Sequence, residues 1–142
     1  LKFFYSKKIE INGIDYSKES FNEMIEDFKK NNISYNNIIL EDFFKFKSKK
    51  KYDLVCSFGF IEHFDNLAPV INSHVDLLND KGKLLIGIPN FTGITGFFQK
   101  HIEKTILDAH NLKIMNLQFF YDIAQNYSLS IENISFLGGY LI

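Results

Sequence analysis

Tyr52-Asp-Leu-Val-Cys-Ser-Phe-Gly-Phe-Ile-Glu-His-Phe64 reads as an apolar strand that stops abruptly and delivers Glu62 and His63 just beyond its end. A second apolar run, Lys83-Leu-Leu-Ile-Gly-Ile-Pro89, also ends in a break. Between them Leu67, Val70, Ile71, Leu77 and Leu78 recur along one side of a helical pattern, so the three pieces make a β-α-β crossover. In an open α/β sheet the C-terminal ends of such strands form the rim at which ligands bind.

The same alternation extends outward in both directions. Toward the N-terminus, Ile9 to Asp15 reads as a strand and Ser17 as a helix cap. Phe21, Met24, Ile25 and Phe28 follow at helical spacing, and Lys29-Lys30-Asn31-Asn32 stops that helix. Ile38-Ile39-Leu40 is a short second strand ending at Glu41-Asp42. Toward the C-terminus, Asp80-Lys81-Gly82-Lys83 is a turn, Asn90 to Gly96 a loop, and Phe97 to Ala109 a helix. A further helix, Leu117 to Tyr127, leads to a β-rich stretch from Leu129 onward. Strand and helix alternating in this way predict a mostly parallel sheet with helices on both faces, and no repeat or linker divides the chain.

Composition narrows the function classes. The 142 residues are 46% hydrophobic and include sixteen Phe, enough to build a core. A formal charge of −1 supplies no field to steer the chain to nucleic acid or an anionic membrane. All sixteen basic residues are Lys, which removes the bidentate guanidinium fork used for phosphate clamping and base reading. Lys47, Lys49, Lys50 and Lys51 read as a solvated loop. Cys56 is the only cysteine, so no internal disulfide or Cys-rich metal site forms; a reducing, cytoplasmic setting is expected, with Cys56 a small buried hydrophobe. No apolar run has the length of a membrane span.

The order of pieces resembles the class I S-adenosylmethionine-dependent methyltransferases, in particular the small-molecule group related to ubiquinone-biosynthesis enzymes. Gly13-Ile14-Asp15-Tyr16-Ser17 is similar to the end of that family's second strand, and Glu41-Asp42-Phe43 to the end of its third. Tyr52 to Phe64 is similar to the fourth strand and the turn after it, Leu77 to Ile86 to the helix end, turn and fifth strand, and Pro89-Asn90 to the exit dipeptide. The stretch beginning at His110 is similar to the segment that closes over the acceptor.

The resemblance implies a Rossmann-like sheet, S-adenosyl-L-methionine as cofactor, and methyl transfer to oxygen, nitrogen or carbon of a small molecule. It implies cofactor contacts from Asp15 to the ribose hydroxyls, Asp42 to the adenine amino group, Tyr16 and Phe43 along the ring, and the main chain around Ser57 and Phe58. One carboxylate can accept from two vicinal hydroxyls, which suits Asp15, although an Asp after a strand is more commonly a turn residue. His63 is the candidate general base, against a reading in which Glu62 orients the next helix and His63 packs beside the cofactor. His101 and His110 fall on the acceptor side. Some relatives hold a metal through a Glu three positions before the Glu-His pair; here that position is Gly59, and a lone Glu-His is a poor divalent site, so no metal is expected.

The family's first strand and Gly-x-Gly-x-Gly turn have no counterpart here, and Leu1 to Tyr5 stands where the tail of its first helix would lie. The resemblance thus implies that residues 1–142 form a single but partial catalytic domain, inactive alone, with those pieces upstream. Two rival readings stay open. A nicotinamide-dependent oxidoreductase fragment would also place an acid on a ribose after a strand. A non-catalytic module could keep the fold as an interaction surface.

Overall fold

The computed structural model describes residues 9–90 and 110–136. The expected first-helix tail at Leu1 to Tyr5, nearly all of the loop after Asn90, the helix from Phe97 to Ala109, and His101 lie outside the described residues. The chain divides into two compact units, Leu1–Lys50 and Lys51–Ile142.

In the first unit, strand β1 (Asn12–Asp15) leads into helix α1 (Lys18–Lys30) and then strand β2 (Asn37–Leu40). β1 and β2 pair in parallel, with Asp15 opposite Leu40, as the alternation predicted. β1 is shorter than the expected Ile9 to Asp15, although Ile11 just before it is buried. Ser17 caps α1 by accepting from Ser20 N–H at 3.3 Å. The helix stops where the Asn pair predicted. Asn32 takes φ 51°, a left-handed conformation that Asn tolerates. Ile33 N–H then reaches Phe28 C=O at 2.8 Å and Asn32 N–H reaches Lys29 C=O at 3.2 Å. These two bonds are a Schellman closure, and its usual apolar contact is present because Phe28 and Ile33 are both buried, with Ile11, in this unit's core.

In the second unit, strand β3 (Tyr52–Phe58) is followed by a 3-10 turn at Ile61–His63, helix α2 (Leu67–Val75) and strand β4 (Leu78–Gly87). β3 and β4 are again parallel, so this β-α-β crossover and the α/β Rossmann-like class are those expected. β4 starts earlier than the predicted run at Lys83. The reason lies in the register: Tyr52 is opposite Leu78 but Leu54 is opposite Lys83, so residues 79–82 bulge out of the ladder. Lys81 N–H donates to Asn79 Oδ1 at 3.1 Å within that bulge, and the predicted turn therefore exists inside the strand. After a second 3-10 turn (Leu112–Ile114), helix α3 (Leu117–Asn126) ends in another Schellman closure, with Ser128 at φ 53° and Leu129 N–H on Ala124 C=O at 2.8 Å. The β-rich stretch expected from Leu129 is not found among the described residues, where 129–136 contain no strand.

Ile61, Val70, Ile71 and Ile114 form the core of this unit, joined by Ile86 and Phe119 among others. Cys56 corrects a sequence expectation: it is exposed, because strand alternation turns its neighbour Ser57 inward and Cys56 outward. Lys51 donates to Asp76 C=O, and Asn79 to Asp53 Oδ1.

His74 is buried on α2 at 2% exposure, with Nδ1 2.7 Å from Val70 C=O. A carbonyl can only accept, so Nδ1 carries the proton. Burial lowers the imidazole pKa, against a smaller raising effect of that hydrogen bond. The folded chain thus binds this proton more weakly than the unfolded chain. The resulting stability is complete above the unfolded value of about 6.5 and is lost as pH falls through the lowered folded value. The urea midpoint is expected to decline on acidification below neutrality, and less steeply in His74→Leu; identical slopes in the two proteins would remove His74 from this role.

Candidate functional site

Parallel pairing brings strand ends together within each unit. In the first, Glu41 N–H donates to Asp15 C=O at 2.9 Å, extending the β1–β2 ladder one step past β2 and setting Asp42 just beyond Asp15. Asp15 is half-buried, and its Oδ1 accepts from Ser17 N–H at 2.8 Å, which fixes its rotamer at the strand-to-helix turn. Asp42 holds a turn of its own: Oδ1 accepts from Phe44 N–H at 2.9 Å, and Oδ2 lies 3.8 Å from Lys45 Nζ. Both carboxylates therefore have a local turn role, which the sequence allowed for Asp15. Tyr16 is 77% exposed, and Phe43 packs edge-on against Phe44 at 5.8 Å. The Lys-rich loop is solvated as expected, with Lys50 paired to Glu10 and holding that carboxyl below the usual range through its hydrogen bond.

In the second unit β3 ends at Ser57 and Phe58. Ser57 is buried, and its Oγ has no hydrogen-bond partner among the described residues. Phe58 is 64% exposed. Gly59 follows with φ +61°, a left-handed conformation natural to glycine, and its N–H donates to Gly87 C=O at 2.9 Å. The reversal turns the chain into the 3-10 segment carrying Glu62 and His63.

These two residues face in different directions. Glu62 is 1% exposed and its Oε2 has no hydrogen-bond partner among the described residues, whereas His63 is exposed. The sequence reading kept His110 apart from them, on the acceptor side. The fold brings it in: the His63 and His110 rings lie 4.7 Å apart, and one ligand atom from each of Glu62, His63 and His110 falls within 4.8 Å of the others. Asn111 holds the segments together, its N–H on Glu62 C=O at 2.6 Å and its Nδ2 on Phe64 C=O at 3.1 Å. Ile61 and Ile114 pack in the same core beneath them. No local sequence signal announces this meeting, because the partners belong to segments far apart along the chain.

No helix among the described residues is long and apolar enough to cross a membrane. A family model with the description "Methyltransferase domain" matches residues 3–130. No curated protein matches the chain.

Proposed function

We propose that this chain, which belongs to the methyltransferase domain family, transfers a methyl group from S-adenosyl-L-methionine to a small-molecule acceptor. The family match spans both compact units, which supports reading residues 1–142 as parts of one domain. A cytoplasmic setting and a link to the ubiquinone-biosynthesis-like group belong to the same proposal.

The observation that carries the reading is the pair of acids at the ends of β1 and β2. Asp15, held by Ser17 N–H, is assigned to the cofactor's ribose hydroxyls, and Asp42 to the adenine amino group. Tyr16 and Phe43 are the aromatic neighbours assigned to the adenine ring. On the other unit, the unpaired buried Ser57 Oγ and the exposed Phe58 ring suit a ligand that has both polar edges and apolar surface. The cofactor supplies a methyl group activated on a sulfonium. The protein's part is to bind, align and exclude water, and to take a proton from an acceptor hydroxyl or amine. His63, exposed beyond β3, is the residue assigned to that proton.

The test is calorimetric titration of S-adenosylhomocysteine into the full-length natural protein and its Asp15→Asn and Asp15→Ala variants. Asn keeps an oxygen for Ser17 N–H and removes only the charge, so the turn survives. Hydrogen bonds to charged groups contribute about 1.5–3 kcal/mol each, and losing two is expected to weaken binding by at least about a hundredfold in Asp15→Ala. Asn should fall between. A folded wild type that does not bind would sink the methyltransferase reading and favour a non-catalytic module.

A further inference from the structure

We propose that the stretch from Phe44 to Lys50 is a docking surface for an anionic lipid bilayer. The claim goes beyond the methyltransferase reading and does not need it. Charge, exposure and the kind of aromatic residue carry it.

The charge is concentrated where the whole-chain value conceals it. Phe43-Phe-Lys-Phe-Lys-Ser-Lys-Lys50 holds four of the sixteen lysines and none of the seventeen acids. A net charge of −1 describes the molecule from a distance, but within a Debye length of about 8–10 Å the local excess decides what an approaching surface meets. Three acids accompany the stretch. Glu41 and Asp42 precede it; Asp42 accepts from Phe44 N–H and lies 3.8 Å from Lys45 Nζ, while Glu10 pairs with Lys50. Both ion pairs are open to solvent. Exposed pairs contribute so little that a lysine can exchange its carboxylate for a lipid phosphate at small cost. Lys47 and Lys49 have no ion pair among the described residues.

The local fold turns these charges outward together. Lys45 N–H and Phe46 N–H both reach Asp42 C=O at 3.0 Å and close a turn. Ser48 Oγ then donates to Lys50 C=O at 2.8 Å and accepts from Lys50 N–H at 3.0 Å. Between these two fixed points exposure alternates, with Lys45, Lys47 and Lys49 exposed and Phe46 and Ser48 half-buried. Neighbouring lysines of that series are at most about 7 Å apart along the backbone, inside one Debye length, so their fields add.

The aromatic residue decides between partners. Phe44 stands beside these lysines at 38% exposure and has no polar atom, so the boundary between headgroups and acyl chains suits its ring better than water does. Lysines around an exposed apolar ring are the composition of a surface that lies on a bilayer. Nucleic acid is the competing polyanion, and it fits less well. Bases stack on open aromatic faces, whereas Phe43 meets Phe44 edge-on with 65° between the ring planes. The chain also has no guanidinium to grip a phosphate in a fixed fork. An ammonium is a point charge that needs no fixed geometry, which matches a fluid layer of headgroups.

Each lysine held at an anionic surface contributes about fivefold in affinity. Four lysines and one ring therefore give a contact that is reversible and sensitive to salt.

The experiment is sedimentation of the full-length natural protein with vesicles of phosphatidylcholine and phosphatidylserine, against vesicles of phosphatidylcholine alone. The protein should sediment with the mixed vesicles only. Lys47→Gln/Lys49→Gln is expected to lose about 25-fold in affinity, and Lys47→Arg/Lys49→Arg to keep it. The deficit of the Gln variant should shrink as salt rises, because screening removes what the lysines contribute; that of Phe44→Ser should persist. All these side chains are exposed, and circular dichroism checks that each variant is folded. No sedimentation of a folded wild type, or equal binding by wild type and the Gln variant, would overturn the surface. Tighter capture of single-stranded RNA than of mixed vesicles at the same salt would overturn its assignment to lipid. The assay contains no cofactor, so its failure leaves the methyltransferase reading standing, and failure of the Asp15 titration leaves this surface standing.

Discussion

Phe28→Ala is expected to destabilise the chain by about 3–5 kcal/mol, the range for deleting a buried aromatic ring. Phe28 is 1% exposed and is the largest side chain in the core of the first unit, where it meets Ile11 and Ile33. It also serves the end of α1, because its carbonyl accepts the Ile33 N–H and its ring makes the apolar contact of that closure. Tyr35 leans on it at a ring separation of 5.3 Å. Few alternative contacts remain to fill the space in a core so small. Against a typical total of about 5–15 kcal/mol, such a loss removes a large share of the stability. Urea unfolding followed by circular dichroism is the check. Phe28→Leu, which keeps most of the volume, should lose less than half as much; a loss below about 1 kcal/mol for the Ala variant would show that this core is not organised around Phe28.

The second large effect separates two glycines that look alike by distance. A Cβ on Gly82 would stand 2.8 Å from Tyr52 C=O and 3.1 Å from Asn79 N, and a Cβ on Gly87 would stand 2.7 Å from the Phe58 ring. The first obstacle is backbone in the β3–β4 bulge, where the register jumps between Tyr52 and Leu54, and it can move only if the ladder moves. The second is an aromatic ring already 64% exposed, which can swing into solvent. Gly82→Ala is therefore expected to cost about 2–3 kcal/mol by overpacking. Gly87→Ala should cost under about 1 kcal/mol, since a single rotamer change relieves it. Thermal melts of the two variants test this. Equal losses would mean that the bulge relaxes as readily as the ring.

The gap between sequence and structure has a consistent physical origin. Ser17 as a cap, the Asn31-Asn32 stop and the full extent of β3 from Tyr52 to Phe58 were legible because each depends on residues within one or two turns of each other. The bulge at Asn79 to Gly82 was legible as a turn but not as part of a strand, since its pairing depends on Tyr52 in another segment. Cys56 was misread as buried because an apolar run does not reveal which of its two faces will be covered.

Local chemistry in the sequence thus determined the order of strands and helices, their caps, the parallel β-α-β connection and the acids at the ends of β1 and β2. Those features follow from short-range periodicity, turn preference and the handedness of crossovers. Only the tertiary structure decided that His110 would stand beside Glu62 and His63, and that the Glu62 carboxylate would be buried with an oxygen unsatisfied. Both outcomes depend on Asn111 bonding to the carbonyls of Glu62 and Phe64, and on Ile61 and Ile114 sharing one core. Contacts of that kind are set by how distant segments pack, which no window of neighbouring residues records.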